Sequence, residues 1–230
     1  LTIDYLETVD PTVSFSEYAQ ANPYYRNYNS AGEIEKYPYY PEDGINDSSV
    51  SNPLWNAHLN NYNKGQEFGF TNNFIIEWFA THDFRLRAKF GLTKSDDTSD
   101  VRLSPLHSQF DDVSDTEKGL YTHTQTKGLV YEGDLAATFG RLFADKHMVN
   151  AVAGFNFSST KRENYGFSAN GFTDDQFDSP SFANSYPNGE SPDYSRTEKR
   201  AASFYINGGY AYDNRYLLDF NYRSDGASMF

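Results

Sequence analysis

The feature that most constrains this chain is a period of two that runs through paired segments and keeps its phase across each tight turn. From Ala202 onward every second residue is small or apolar: Phe204, Ile206, Gly208, Tyr210 and Tyr212. After Asp213-Asn214-Arg215 the alternation resumes with Tyr216, Leu218, Phe220 and Tyr222, set against Leu217, Asp219, Asn221 and Arg223. Strict alternation means strands, and Asp-Asn between two such runs means a turn. Because a one-residue slip would move every side chain to the opposite face, the parity predicts a three-residue loop at 213–215 with Tyr212 opposite Tyr216.

Two further hairpins follow the same rule. Phe70, Phe74, Ile76, Trp78 and Ala80 lead through Thr81-His82-Asp83 to Phe84, Leu86, Ala88, Phe90 and Leu92. With Ala80 opposite Phe84, Glu77 falls opposite Arg87 on the polar face. Leu129, Tyr131, Leu135, Ala137 and Phe139 lead through Ala144-Asp145-Lys146 to Val149, Ala151, Ala153, Phe155 and Phe157. Residues 1–8 are expected to end a strand. Long polar connections are expected at 11–66, 95–121 and 166–195, and no helical run of any length is recognised.

Composition agrees with strands that are apolar on one side only. Of 230 residues, 19 are Tyr and 19 are Phe, yet mean hydropathy is −0.74. Cysteine is absent, which removes disulfides, thiol catalysis and cysteine-based zinc sites. A net charge of −13 gives no cationic face for nucleic acid. No apolar run approaches the length of a membrane helix, but a barrel strand needs only about 9–11 residues, half of them apolar. Short turns at one end and long loops at the other predict an all-β, antiparallel transmembrane barrel, with turns periplasmic and loops extracellular. The alternative is a soluble all-β glycan-binding module, which would bury both its apolar and its aromatic faces in its own core.

Several segments carry a family resemblance: SFSEYAQANPYYRNYN (14–29), NPLWNAHLN (52–60), TNNFIIEW (71–78), LSPLHSQFDD (103–112), YEGDL (131–135), GFSANGFTDDQFDSPSFANSYPNG (166–189) and YDNRYLLDFNYRSDGAS (212–228). In this order they resemble blocks of the SusC/RagA family of TonB-dependent outer-membrane transporters, across nearly the whole chain. One departure is that residues 225–229 read DGASM where the family has DGSSR, which puts Met229 in place of an Arg.

The resemblance implies a 22-stranded plugged barrel, of which residues 1–230 are part of one barrel domain. It also implies TonB contact through an N-terminal part not in this sequence, a SusD-like surface lipoprotein as lid, outer-membrane lipid around the strands, and import of glycan fragments or peptides. The N-terminus shows no leader pattern and the alternation is still running at Phe230, so about six or seven central strands are expected here.

Candidate site residues follow from the faces. Glu77, Arg87, Glu132, Asp134, Asp219 and Arg223 are expected to face the lumen, touching substrate or the plug, or else only one another and water. Tyr24, Tyr25, Tyr39, Tyr40 and Trp55 are expected to contact ligand or the lid, or else to pack within their own loop. Adjacent carboxylates at Asp96/Asp97, Asp111/Asp112 and Asp174/Asp175 sit on no recognisable glycosidase scaffold. No acid spacing matches an EF-hand. No catalytic residue, metal site or cofactor is predicted, and the protein is read as a non-enzyme.

Overall fold

The computed structural model describes residues 1–21, 24, 26–40, 45–46 and 51–229. Its elements run β1 (Thr2–Asp10), α1 (Phe15–Gln20), β2 (Arg26–Tyr28), β3 (Ile34–Tyr40), β4 (Ile45–Asn46), α2 (Pro53–His58), β5 (Tyr62–Phe79), β6 (Phe84–Leu103), β7 (Leu120–Phe143), β8 (His147–Asn170), β9 (Asp193–Tyr212) and β10 (Tyr216–Met229). Seven of the strands form one antiparallel sheet in the order β1-β5-β6-β7-β8-β9-β10, and β2-β3-β4 form a small second sheet.

The three hairpins close as their parity requires. Tyr212 pairs with Tyr216, Phe143 with His147, and Glu77 with Arg87. Two of the loops use the same backbone solution. Ala144 and Asp145 have φ of 47° and 57°, and Asp213 and Asn214 have 49° and 51°. Lys146 N–H then donates to the Phe143 carbonyl (3.2 Å) and Arg215 N–H to that of Tyr212 (2.9 Å). Consecutive left-handed residues match the twist of the flanking strands, and Asp and Asn tolerate that conformation better than Ala does.

Three sequence expectations change. The strands are longer than the alternation suggests: β6 runs to Leu103, β7 starts at Leu120, β8 runs to Asn170 and β9 starts at Asp193. The connections expected at 95–121 and 166–195 therefore shrink to 104–119 and 171–192. The segment 11–66 is not irregular throughout, since it holds two six-residue helices and the small sheet. Both helices are capped. Ser14 and Glu17 form a reciprocal capping box, and Asn52 caps the second helix ahead of Pro53.

A single sheet this size leaves little apolar surface buried. Among the described residues the buried apolar side chains are Val13, Tyr121, Ala136, Ala169, Phe172 and Ala211. The outward register rows of β5–β10, such as Trp78-Leu86-Ala137-Ala153-Ile206-Tyr222, stay open. Trp78 is 60% exposed, Leu135 53% and Leu218 68%. A soluble module would cover this face with a second layer; no described element does so. On β8 the band runs from His147 to Phe157, ten residue steps. At about 3.3 Å per residue and a tilt of about 40° that is about 25 Å, the height of a barrel's lipid-facing band. Aromatics edge it at the turn end, where the rings of His147 and Tyr212 lie 5.0 Å apart and Tyr212 stacks on Tyr216 at 6.4 Å.

Candidate functional site

The opposite face is polar because every residue between the apolar ones points to it. Register brings Glu77, Arg87, Ala136, Gly154, Tyr205 and Arg223 into one row across six strands. The next row toward the loops holds Ile75, Lys89, Asp134, Asn156, Ser203 and Asp225. Arg87 reaches diagonally to Asp134 (3.9 Å). Ser203 donates to Asn156 (2.5 Å), Arg223 donates to Ser203 (3.2 Å), and the Arg223 Nε donates to both oxygens of Asp225 (2.9 and 3.0 Å). The Tyr205 ring lies across the sheet over Gly154, directly opposite, which has no Cβ; one built there would lie 2.2 Å from the tyrosine ring.

All six predicted lumen residues thus share one face, and the structure brings three of them together. Arg87 and Asp134 form an ion pair, Arg223 bonds Ser203 and Asp225 in the neighbouring cluster, and Asp134 and Arg223 also line a concavity of about 750 Å³ with Glu132. Glu77 sits opposite Arg87 as expected, but the guanidinium pairs with Asp134 instead. Asp219 stands two rows nearer the turn, beside Gly209, outside the cluster. Lys89, Asn156, Ser203, Tyr205 and Asp225 were not singled out from sequence. They share the parity of Arg87 and Asp134, which is the signal that would have found them.

The loop end is built from buried polar side chains. Arg102, fully buried, donates to the carbonyls of Asn60, Asp175 (2.8 Å) and Phe177 (3.0 Å), while the Asn60 N–H donates to Asp175 (3.2 Å). Asn52 donates to the carbonyls of Asn27 (3.0 Å) and Glu35 (2.7 Å). Asn56 and Ser108 bond reciprocally at 2.9 and 3.1 Å. Gly171, at φ 79°, passes so close to Thr116 that a Cβ would lie 2.4 Å from its carbonyl oxygen.

Of the predicted loop aromatics, Trp55 is half-buried and its indole N–H donates to the Leu106 carbonyl (3.1 Å). Tyr24 is 82% exposed. Tyr39 and Tyr40 belong to β3, paired with Asn46 and Ile45 of β4, and Tyr25 lies outside the described residues.

Titration is perturbed mainly at this end. Asp111 accepts from both Lys36 and Tyr37; burial raises its carboxyl, and those two hydrogen bonds outweigh burial and hold it low. The same hydrogen bond, with burial and the negative charge, pushes the Tyr37 hydroxyl up to about 12. Burial pushes the His107 imidazole down.

The adjacent carboxylates have structural partners. Asp96 and Asp97 point to opposite faces, and Asp96 accepts from Gln125 (2.7 Å). Among the described residues no three His, Asp or Glu side chains converge as metal ligands.

No family model matches the chain. Over 95% of its length it is 25% identical to a TonB-dependent receptor of Formosa agariphila, of which it covers 22%. Solved structures share its fold. The RagAB peptide transporter superposes over 87% of the chain with a TM-score of 0.62 at 15% identity. The RagAB peptide importer does so over 88% in its closed-closed state (0.63, 15%) and its open-open state (0.62, 16%). The chain spans about a fifth of the length of each of these proteins. The resemblance to TonB-dependent transporters read from the sequence is borne out, and the sheet is a stretch of outer-membrane β-barrel wall.

Proposed function

We propose that this chain is the central wall of the barrel of a TonB-dependent importer that takes up peptides or glycan fragments, covered at the cell surface by a SusD-like lipoprotein. The observation that carries this reading is the two-faced sheet: one side matches lipid in height and chemistry, and the other is a hydrogen-bonded polar surface. On that surface Arg87, Lys89 and Arg223 alternate with Glu132, Asp134 and Asp225. Charges of both signs beside Asn156, Ser203 and Tyr205 suit a path lined by donors and acceptors. Such a wall can exchange hydrogen bonds with a peptide backbone, with sugar hydroxyls or with a plug. The wall supplies no bond-making chemistry; it provides a wet route through an apolar barrier.

An import role also agrees with the similar solved structures, which are a peptide transporter and importer. The test is to delete the gene in its host and follow entry of labelled oligopeptides and oligosaccharides. Loss of one class, restored by the wild-type gene but not by a form with Arg87→Glu and Arg223→Glu, is the expected result. Unchanged uptake of both classes in the deletion strain would overturn it. Purification in mild detergent is expected to bring a surface lipoprotein with the barrel.

A further inference from the structure

The outward face does not end where its apolar band ends. Continuing the register toward the loops, the next rows carry Arg200 on β9, then Lys94 and Lys161 on β6 and β8, then Lys127 and Arg196 on β7 and β9. These five cations occupy adjacent rows in a chain whose net charge is −13. Three acids share the rows, which leaves an excess of two positive charges. Glu163 is paired with Lys161 (2.8 Å), and Glu198 with Arg196 (3.1 Å) and Arg200 (2.5 Å). Asp96 is taken by Gln125. Lys94 and Lys127 are exposed.

One row further out the chemistry changes again. Tyr165 and Tyr194 stand opposite each other, 42% and 60% exposed, and Phe167 packs 6.1 Å from the Tyr165 ring. On β8, Lys161 lies about 10 Å and Tyr165 about 20 Å beyond Phe157, where the apolar band ends on that strand, at the rise and tilt used above. The patch spans β6 to β9, flanked by further strands of the same sheet, so it is no artefact of an edge.

On β8 and β9 apolar band, charged belt and aromatic tier follow one another; on β6 and β7 the band runs on to Leu92 and Leu129 before Lys94 and Lys127. A phosphorylated glycolipid presents acyl chains, phosphates and sugar rings in that order. We propose that the outward face of β6–β9 binds the phosphorylated headgroup of a glycolipid of the outer leaflet. The lysines and arginines take the phosphates, and the rings of Tyr165 and Tyr194 lie against the sugars. The occupant is lipid rather than protein because the belt rises directly from the lipid-facing band. A headgroup at that level is already tethered beside it. Basic side chains at a bilayer surface are attracted to anionic lipid and lose that attraction in salt. This inference rests on the membrane-wall reading above.

The test uses the full-length protein in phosphatidylcholine nanodiscs carrying a small fraction of either diphosphorylated or dephosphorylated lipid A. Bound lipid is counted by native mass spectrometry. The wild type is expected to prefer the diphosphorylated form by about tenfold or more, less at high salt. K94Q, K127Q, R196Q and R200Q combined should abolish that preference. Tyr165→Ala with Tyr194→Ala should weaken both lipids while keeping the preference. Heat-dependent gel migration is read on every variant. A barrel that shifts normally but shows no phosphate preference overturns this inference and leaves the membrane wall standing. A protein that shows no shift and folds without detergent overturns both. Pairing of copies that the four substitutions abolish, with lipid binding unchanged, would assign the belt to a protein contact and overturn the lipid proposal.

Discussion

Arg102 joins two loops to a strand end by three carbonyl contacts, with its whole side chain out of solvent. Arg102→Met keeps the bulk and strands those carbonyls, at a cost of about 2–3 kcal/mol. Hydrogen exchange at 58–61 and 171–192 should accelerate while the strands stay protected. At the other end of the sheet, Ala144 holds φ 47°, a conformation that disfavours a Cβ. Ala144→Gly should raise stability by about 0.5–1 kcal/mol, the relief of strain exceeding the added freedom of the unfolded chain. The check is a higher temperature for loss of the folded gel form. His107 caps a short 3-10 helix by accepting the Gln109 N–H at its Nδ1 (3.2 Å), so it must be neutral. Burial lowers its pKa when folded, so the unfolded chain binds the proton more readily. Its stabilising share is full above the ordinary value of 6.5 and is lost as pH falls from there through the lowered folded value. Protection at 104–112, measured relative to the intrinsic exchange rate at each pH, should fall on acidification, and His107→Asn, which can cap without titrating, should flatten that dependence.

Strands were legible from sequence only where the two faces meet different solvents. Inside the bilayer the alternation on β8, Ala153-Gly154-Phe155-Asn156-Phe157, gives element, register and face together. Beyond Phe157 neither face meets lipid tails, the pattern fades, and residues 166–170 read as part of a polar connection although their ladder continues without a break. The helices were missed for a different reason. Six residues hold less than two turns, too few for a 3.6-residue period, and only the caps announce them: Ser14 with Glu17, and Asn52 before Pro53. Neighbouring positions on β8 test the faces. Phe155→Arg places a cation toward lipid two residues inside the loop-side edge of the band and should cost about 1–3 kcal/mol, between the midplane and interface values. Asn156→Arg, one residue on, faces the polar side and should cost much less. Urea unfolding of the full barrel from lipid vesicles separates the two.

At the scale of the whole sheet, the fold was more legible than the site. Parity placed Glu77, Arg87, Glu132, Asp134, Asp219 and Arg223 on one face, and the structure keeps them there. It could not show that Arg87 turns to Asp134 rather than Glu77, or that Gly154 lets Tyr205 lie across the sheet. Those depend on how side chains on adjacent strands turn toward one another, one pair diagonal and one directly opposite, which no linear pattern encodes. The aromatics of the segment 11–66 were the least legible, because an aromatic there reads alike whether it packs inward, as Trp55 does through Leu106, or faces outward like Tyr24.

The most direct test of the two-faced wall uses the absence of cysteine from this chain. Single cysteines at positions 150 to 153 and 155 to 157 of the full protein in native outer membranes would be probed with a water-soluble thiol reagent and with a lipid-dissolved quencher, leaving out 154, where Tyr205 fills the space a side chain would need. Strict alternation is predicted: reagent reaches 150, 152 and 156, and the quencher reaches 151, 153, 155 and 157. Labelling of every position by the aqueous reagent, or quenching of none, would contradict the account.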